Sequence, residues 1–293
     1  MNRLYKNKLA ILLFLLPSLI LFIGIIIVPI IMSTYYSLFD WNGITEMKWN
    51  DFGNYVELFT NPVVNFPQAL LNAVYYAILS VFIQLPFSLL LALLLAKGRK
   101  GSRFFLSVYF IPVLMSTVVI GQLWLKIYNP DYGILNVALN AVGLGSHAKV
   151  WLGDRSVALI ATFIPTLWQY TGYHMILMYA GIKSVPPELR EAALIDGASE
   201  WQINRKIIIP MIKPILRVCL IISVTGSLKV FDLIYILTGG GPAHATEVPS
   251  TLMVSMMFLR NRYGFGSAIA VFLIFLCFLF VVLIRKTMKT EVN

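Results

Sequence analysis

The sequence predicts an all-α integral membrane protein with six transmembrane helices. Three observations carry this. The 293-residue chain is 59% hydrophobic and only 12% charged, where average soluble domains carry about 25% charged residues. Six apolar stretches, about 9–35, 69–95, 104–127, 157–182, 212–237 and 266–285, reach the roughly 20 residues that a membrane-crossing helix needs. The basic residues behind the net charge of +10 gather beside these stretches instead of forming a nucleic-acid-binding stripe, which is how topology signals are placed. Residues 1–293 therefore read as one multi-pass transmembrane domain with lipid around it and no nucleic-acid partner.

Each element follows in order. Arg3, Lys6 and Lys8 precede the apolar run from Leu9 to Met32. That run is longer than the roughly 7–15-residue core of a signal peptide and lacks a small-residue cleavage site, so it reads as a retained span with the N-terminus inside. Loop 36–68, with Asp40, Glu46, Asp51 and Glu57, falls outside. The second span leads to the basic loop 97–103, which is inside by its positive charge. After the third span, loop 128–156 is outside, and the helical apolar period of Tyr132 to Gly143 predicts a short helix there. The fourth span ends in segment 183–211, placed inside by Arg190, Arg205 and Lys206. Beyond the fifth span, Ser250 to Leu259 is apolar but too short to cross, which predicts a lid or interfacial helix. Arg260 and Arg262 fall outside against the charge bias, while Arg285, Lys286 and Lys289 hold the C-terminus inside. Pro17, Pro29, Pro86, Pro112 and Pro165 lie within spans, where neighbouring helices must re-satisfy the freed carbonyls. Cys219 and Cys277 both lie in apolar runs, so neither a disulfide framework nor a metal site is expected.

Residues 186–214 read PPELREAALIDGASEWQINRKIIIPMIKP, a polar insertion between two apolar runs. Pro186 and Pro187 suit a first helical turn, and Glu188 complements its positive end. A short helix from Glu188 to Asp196 presents the small residues Ala192 and Ala193, so that another surface can come close. Gly197 stands where a helix end needs a left-handed residue, and Ser199 with Gln202 forms a capping box for a second short helix. The spacing of Glu191-Ala192-Ala193, Gly197, Ile207 and Pro210 resembles the EAA loop of ABC importer permeases, in which E-A-A and G are separated by three residues and I-x-L-P follows after nine more. Ile209 stands where Leu is usual. An ordinary connecting loop has no need of such fixed spacing.

A second stretch, Phe231-Asp232-Leu233-Ile234-Tyr235-Ile236-Leu237-Thr238-Gly239-Gly240-Gly241-Pro242 with Thr246 after it, resembles the end of the fifth span in sugar-type permeases of the maltose, glycerol-phosphate and multiple-sugar kind. Trp168-Gln169-Tyr170-Thr171-Gly172-Tyr173 fits the same subfamily, and the resemblance covers about residues 9 to 285. It implies a type I ABC importer permease fold and a carbohydrate substrate. It also implies a bacterial or archaeal cytoplasmic membrane, with both termini in the cytosol. The implied partners are a second homologous permease completing the pore, two ATPase subunits or domains carrying ATP and Mg, and an extracytoplasmic sugar-binding protein. Glu191, Ala192, Ala193, Asp196, Gly197 and Pro210 would couple to the ATPase. Gly239, Gly240, Gly241 and Pro242 would form an outer-mouth loop, although a plain glycine-rich turn accounts for them equally.

Candidates for the substrate path lie inside the spans, where charge is costly and usually faces protein or water. Lys229 and Asp232 stand three apart on the fifth span, as a polar cavity wall or as a mutually neutralising pair. Trp168, Gln169, Tyr173 and His174 combine aromatic faces with hydrogen-bonding groups, which suits sugars. Trp168 and Tyr173 do not share a helical face, and a lone His also serves plain helix packing. Trp124 and Gln122 are further candidates on the third span. The chain has no G-x-x-x-x-G-K-[ST] phosphate loop, no H-E-x-x-H and no nucleophile elbow, so neither ATP binding nor an enzyme is expected of it, and no cofactor or metal. Two rivals remain: an ABC permease for another polar solute (an amino acid, a polyamine or a phosphate ester) and an ion-coupled secondary transporter. The TGGGP stretch favours sugar over the first, and the second leaves the EAA spacing unexplained.

Overall fold

The computed structural model describes residues 8–98 and 100–288, with side chains from Ile11 onward. Arg3, Lys6 and Lys289, on which the placement of the termini rests, lie outside the described residues, as does Arg99 of the basic loop. The helices used below are α1 (Ile11–Tyr36), α2 (Gly53–Thr60), α3 (Phe66–Ala96), α4 (Ser102–Leu114), α5 (Thr117–Ile127) and α6 (Ile134–Ala141). After them come α7 (Ala158–Lys183), α8 (Pro187–Ile195), α9 (Glu200–Ile203), α10 (Lys213–Leu228), α11 (Asp232–Leu237), α12 (Pro249–Leu259) and α13 (Tyr263–Thr287). The only β-structure among the described residues is a two-residue antiparallel ladder that pairs Phe39 with Trp49 and Asp40 with Lys48.

Among the described residues, four helices are long and apolar enough to cross a membrane: α1, α3, the α10–α11 run and α13. A fifth arises if α4 and α5 count as one span. The stretch expected as the third span is bent by 98°. Met115 and Ser116 are extended, at ψ 146° and 135°, and Ser116 is of a type favoured at helix starts. Hydropathy cannot register that break, because both halves are apolar. The stretch expected as a fourth span forms α7, 26 residues long. Thr162, Thr166, Gln169, Thr171 and His174 dilute its apolar character.

Besides Ser255–Leu259 in α12, three turns among the described residues widen to the i→i+5 pattern, at Ile23–Ile27, Ser80–Gln84 and Asn204–Ile208. Each ends two residues before a proline: Pro29, Pro86 and Pro210. A proline inside a helix offers no N–H and crowds the carbonyl four residues back, so the preceding turn opens.

The chain divides into two compact units, residues up to Asn65 with Met253–Ile274, and Phe66–Leu252 with residues from Phe275 on. In the first, α1 is exposed along nearly its whole length, Phe14 by 84%, as suits a helix solvated by lipid. The second is built around α7. Met175 and Met178 of α7 pack with Leu85 and Ala92 of α3 and Cys219 of α10. Phe163 packs with Tyr76, Val224 and Leu228. A Cβ on Gly172 would collide with the Tyr109 carbonyl, so this glycine lets α7 and α4 approach backbone to backbone.

Candidate functional site

A cavity of 450 Å³ opens within the second unit, inside the roughly 300–1,000 Å³ range of small-ligand clefts. Helix α7 supplies Thr166, Tyr170, Tyr173 and His174, whose spacing of four, three and one places them on one helical stripe. Helix α3 supplies Tyr76, Ser80 and Gln84, the last two from the turn that Pro86 widens. Helix α10 adds Ser223, Gly226 and Ser227, and Thr117 closes the wall from the start of α5.

Part of this wall is internally satisfied. Tyr76 Oη lies 2.6 Å from Thr162 Oγ1, Ser227 Oγ donates to Ser80 Oγ at 3.1 Å, and Gln84 Nε2 donates to the Thr166 carbonyl at 3.4 Å. Two polar atoms of lining residues are not: His174 Nδ1 and Ser223 Oγ are buried with no hydrogen-bond partner among the described residues. Buried polar atoms are normally paired, and both of these belong to residues of the cavity wall.

Lys229 and Asp232 both line the cavity and are exposed to it. The expectation of a shared helix is corrected here, because the fifth span breaks between them. Lys229 caps the end of α10 and Asp232 is the first residue of α11, with Phe231 at φ −141°, ψ −64° in the gap. They form no ion pair with each other among the described residues. Each instead sits at the helix end whose dipole favours its charge, a cation at a carboxyl end and an anion at an amino end.

Of the sequence-predicted candidates, Tyr173, His174, Lys229 and Asp232 line this cavity and Trp168 and Gln169 do not. Gln169 is buried, its Nε2 3.5 Å from Thr117 Oγ1. Trp168 packs edge-on against Trp124 at 6.1 Å. Sequence reasoning missed Ser80, Gln84, Thr166, Tyr170, Ser223 and Ser227. Ser223 and Ser227, one turn apart in an apolar helix, were a readable signal.

The TGGGP stretch forms a cage beyond the end of α11. Gly239 and Gly240 take φ 61° and 94°, and the Gly241–Pro242 bond is cis. Thr246 Oγ1 donates to the Gly241 carbonyl at 2.6 Å and lies 2.7 Å from Thr238 Oγ1. Asn72 of α3 donates to the carbonyls of Ala245 and Glu247 at 3.1 and 2.8 Å, and His244 contacts the Glu247 carboxylate. None of Gly239, Gly240, Gly241 and Pro242 lines the cavity.

Segment 183–211 is a helix–turn–helix. Helix α8 carries Glu191, Ala192 and Ala193, and Asp196 caps it. Gly197 follows at φ 77°, donating to the Leu194 carbonyl at 3.0 Å while Ala198 donates to that of Ala193 at 2.9 Å, the Schellman pattern. The Ser199–Gln202 capping box closes both ways, at 2.7 and 3.3 Å. Glu200 of α9 accepts from Arg190 of α8 at 2.6 Å and meets Lys97 at 3.5 Å. The Arg190 bond holds its carboxyl below the usual glutamate range. Pro210 lies in the helical turn that precedes α10. Ile195 and Trp201 stand 87% and 67% exposed on this segment.

The family profile described as "Binding-protein-dependent transport system inner membrane component" matches residues 84–287, a range that takes in most of the cavity wall and all of segment 183–211. The chain belongs to this family. It is an ABC-importer-type permease. The permease is 39% identical over 288 residues to a probable ABC transporter permease protein of Bacillus subtilis, YurN, covering 97% of this chain and 98% of the relative. It is 33% identical to the trehalose/maltose transport system permease protein MalF of Thermococcus litoralis, covering 94% and 92%. A crystal structure of a bacterial alginate ABC transporter, in complex with an alginate pentasaccharide-bound periplasmic protein, superposes with a TM-score of 0.84 at 25% identity over all of both chains.

Proposed function

We propose that this permease forms half of the translocation path of a carbohydrate importer. The substrate class rests on one observation: relatives that match most of the chain are named for trehalose and maltose, starch degradation products and diacetylchitobiose. The cavity supports that reading, since its wall carries Tyr170, Tyr173, His174 and the charged Lys229 and Asp232, a mix of aromatic and polar groups that suits hydroxyl-rich rings. On this reading α7 is the sixth span, and the break between Lys229 and Asp232 is the kind of discontinuity that membrane transporters use to aim helix ends at substrate. Segment 183–211 is the EAA coupling loop, with Ile195 and Trp201 as the apolar surface that docks on the ATPase and Gly197 fixing its turn. A second permease completes the pore, a sugar-loaded binding protein delivers from outside, and both termini and segment 183–211 face the cytosol.

The decisive experiment reconstitutes this chain with its partner permease, ATPase and binding protein. Uptake of labelled maltose, trehalose, xylose and chitobiose is compared with that of an amino acid and a polyamine. ATP-dependent uptake of a sugar alone is expected. Uptake confined to a non-carbohydrate solute would remove the sugar assignment while leaving the family intact. Cysteines placed in loop 97–103 should react only with membrane-permeant reagents and one at Asn50 with impermeant ones, and the opposite pattern inverts the proposed orientation.

A further inference from the structure

A second cavity, of 310 Å³, lies at the end of α3, behind the helix–turn–helix segment. Its walls divide by chemistry. Leu93, Ile182 and Ile208 form an apolar side, while Lys97, Lys183, Arg190 and Glu200 bring three cations and one carboxylate. Three positive charges against one negative leave a formal +2 on this wall. Glu200 holds Arg190 tightly but reaches Lys97 only at 3.5 Å. Lys183 has no carboxylate partner among the described residues, and its Nζ lies 5.9 Å from the Tyr179 ring centroid. Pro186, which caps α8, and Pro187, its first residue, also line the cavity, adding the positive end of that helix.

Surplus cationic charge beside an apolar wall, at the level where a spanning helix ends, calls for an anion with an apolar tail. A soluble anion would meet the lysines and leave the partly exposed Leu93 and Ile182 unused. An acyl chain alone would leave the charges unmet. Basic pockets between membrane helices take the head groups of anionic phospholipids. We propose that this cavity is a phosphate-binding site for the head group of an anionic phospholipid, with the phosphate on Lys97 and Lys183 and the chain along the apolar side. Because Arg190 and the start of α8 border the same cavity, an occupied site braces α8 against the end of α3.

The test uses the whole transporter in phosphatidylcholine nanodiscs containing a minor fraction of phosphatidylglycerol, with retained phosphatidylglycerol counted by native mass spectrometry. Each lysine replaced by Gln should lower retention of the most tightly held molecule about fivefold, so that Lys97→Gln with Lys183→Gln lowers it about twenty-five-fold. Lys183→Gln alone leaves both Glu200 contacts in place, and its thermal transition, measured alongside, separates lost retention from lost folding. Equal retention in the wild type and Lys183→Gln overturns the site. In pure phosphatidylcholine discs, inorganic phosphate at millimolar concentration should leave the thermal transition unmoved. If it raises the transition in the wild type and not in Lys183→Gln, the cavity takes a soluble phosphate and the lipid assignment fails.

Discussion

Arg262 donates two hydrogen bonds to the carboxylate of Glu57, at 2.8 and 2.6 Å, across 205 residues of sequence. Asn61 donates to the same carboxylate at 2.9 Å, and the guanidinium lies 4.5 Å from the Phe265 ring centroid. This fork joins α2 to the residue just before α13 within the first unit. It also gives a physical place to Arg262, one of the two basic residues that run against the charge bias, because its charge is met locally.

The pair makes a pH prediction. The Arg262 bonds hold the Glu57 carboxyl below its ordinary value of 4.5, outweighing the burial that pushes it up. A carboxylate depressed in the folded state stabilises it above the unfolded value, and that contribution is lost as pH falls from about 4.5 through the folded value. The side chains are 34% and 28% exposed, so screening limits the pair to about 1 kcal/mol. Glu57→Gln should lower the thermal transition at neutral pH and flatten its decline below about pH 4.5. An unchanged transition and acid slope in that variant would show that the fork contributes nothing.

Gly172 should be intolerant of any side chain. A Cβ there meets the Tyr109 carbonyl and the Phe110 Cα, which are backbone and cannot rotate away. Gly172→Ala is expected to cost about 1–3 kcal/mol and to reduce the yield of folded permease in a detergent size-exclusion profile. A wild-type yield and transition would mean that α7 and α4 are less tightly apposed.

Gly197 should behave differently. Nothing lies within 4 Å of a Cβ built on it, so a Cβ meets no clash and the main cost is the left-handed backbone, about 1–2 kcal/mol. Gly197→Val should leave the transmembrane body folded while shifting α8 against α9. Substrate-stimulated ATP hydrolysis by the assembled transporter should fall out of step with uptake. Normal coupling ratios would dissociate this turn from the ATPase contact.

Asp232 offers the sharpest test of the substrate path. Since Lys229 and Asp232 are not paired, Asp232→Asn leaves no stranded partner. Complex yield should stay at the wild-type level while uptake drops, and adding Lys229→Gln should not restore it. Recovery of assembly or uptake in the double variant would show that the two charges neutralise each other after all.

Membrane character, three of the apolar helices and the short helices were legible because each depends on local chemistry. The apolar runs predicted α1, α3 and α13 within a few residues. The period of Tyr132 to Gly143 predicted α6, and the Gly197 and Ser199–Gln202 signals predicted the turn and cap of segment 183–211. The cavity was only partly legible. Tyr173 and His174 were read from residue type, whereas Trp168 and Gln169, of equally suitable type, face other helices. Ser80 and Gln84 join the wall through the turn that Pro86 opens, and no residue-by-residue reading reports where such a turn will aim.

What the sequence determined by itself is therefore what a single helix or turn can decide: which stretches avoid water, where the short helices lie, and that Gly197 must be left-handed. Those outcomes follow from side chains and backbone within a few residues of one another. The bend between α4 and α5, the break that assigns Lys229 and Asp232 to separate helix ends, and the wall shared by α3, α7 and α10 were decided only in the tertiary structure. Each depends on residues far apart in sequence coming into contact: Gly172 against Tyr109, Gly121 against Ile236, and Ser80 against Ser227. Apolar helices in lipid gain little from hydrophobicity in choosing neighbours, so close packing and buried polar contacts select the arrangement.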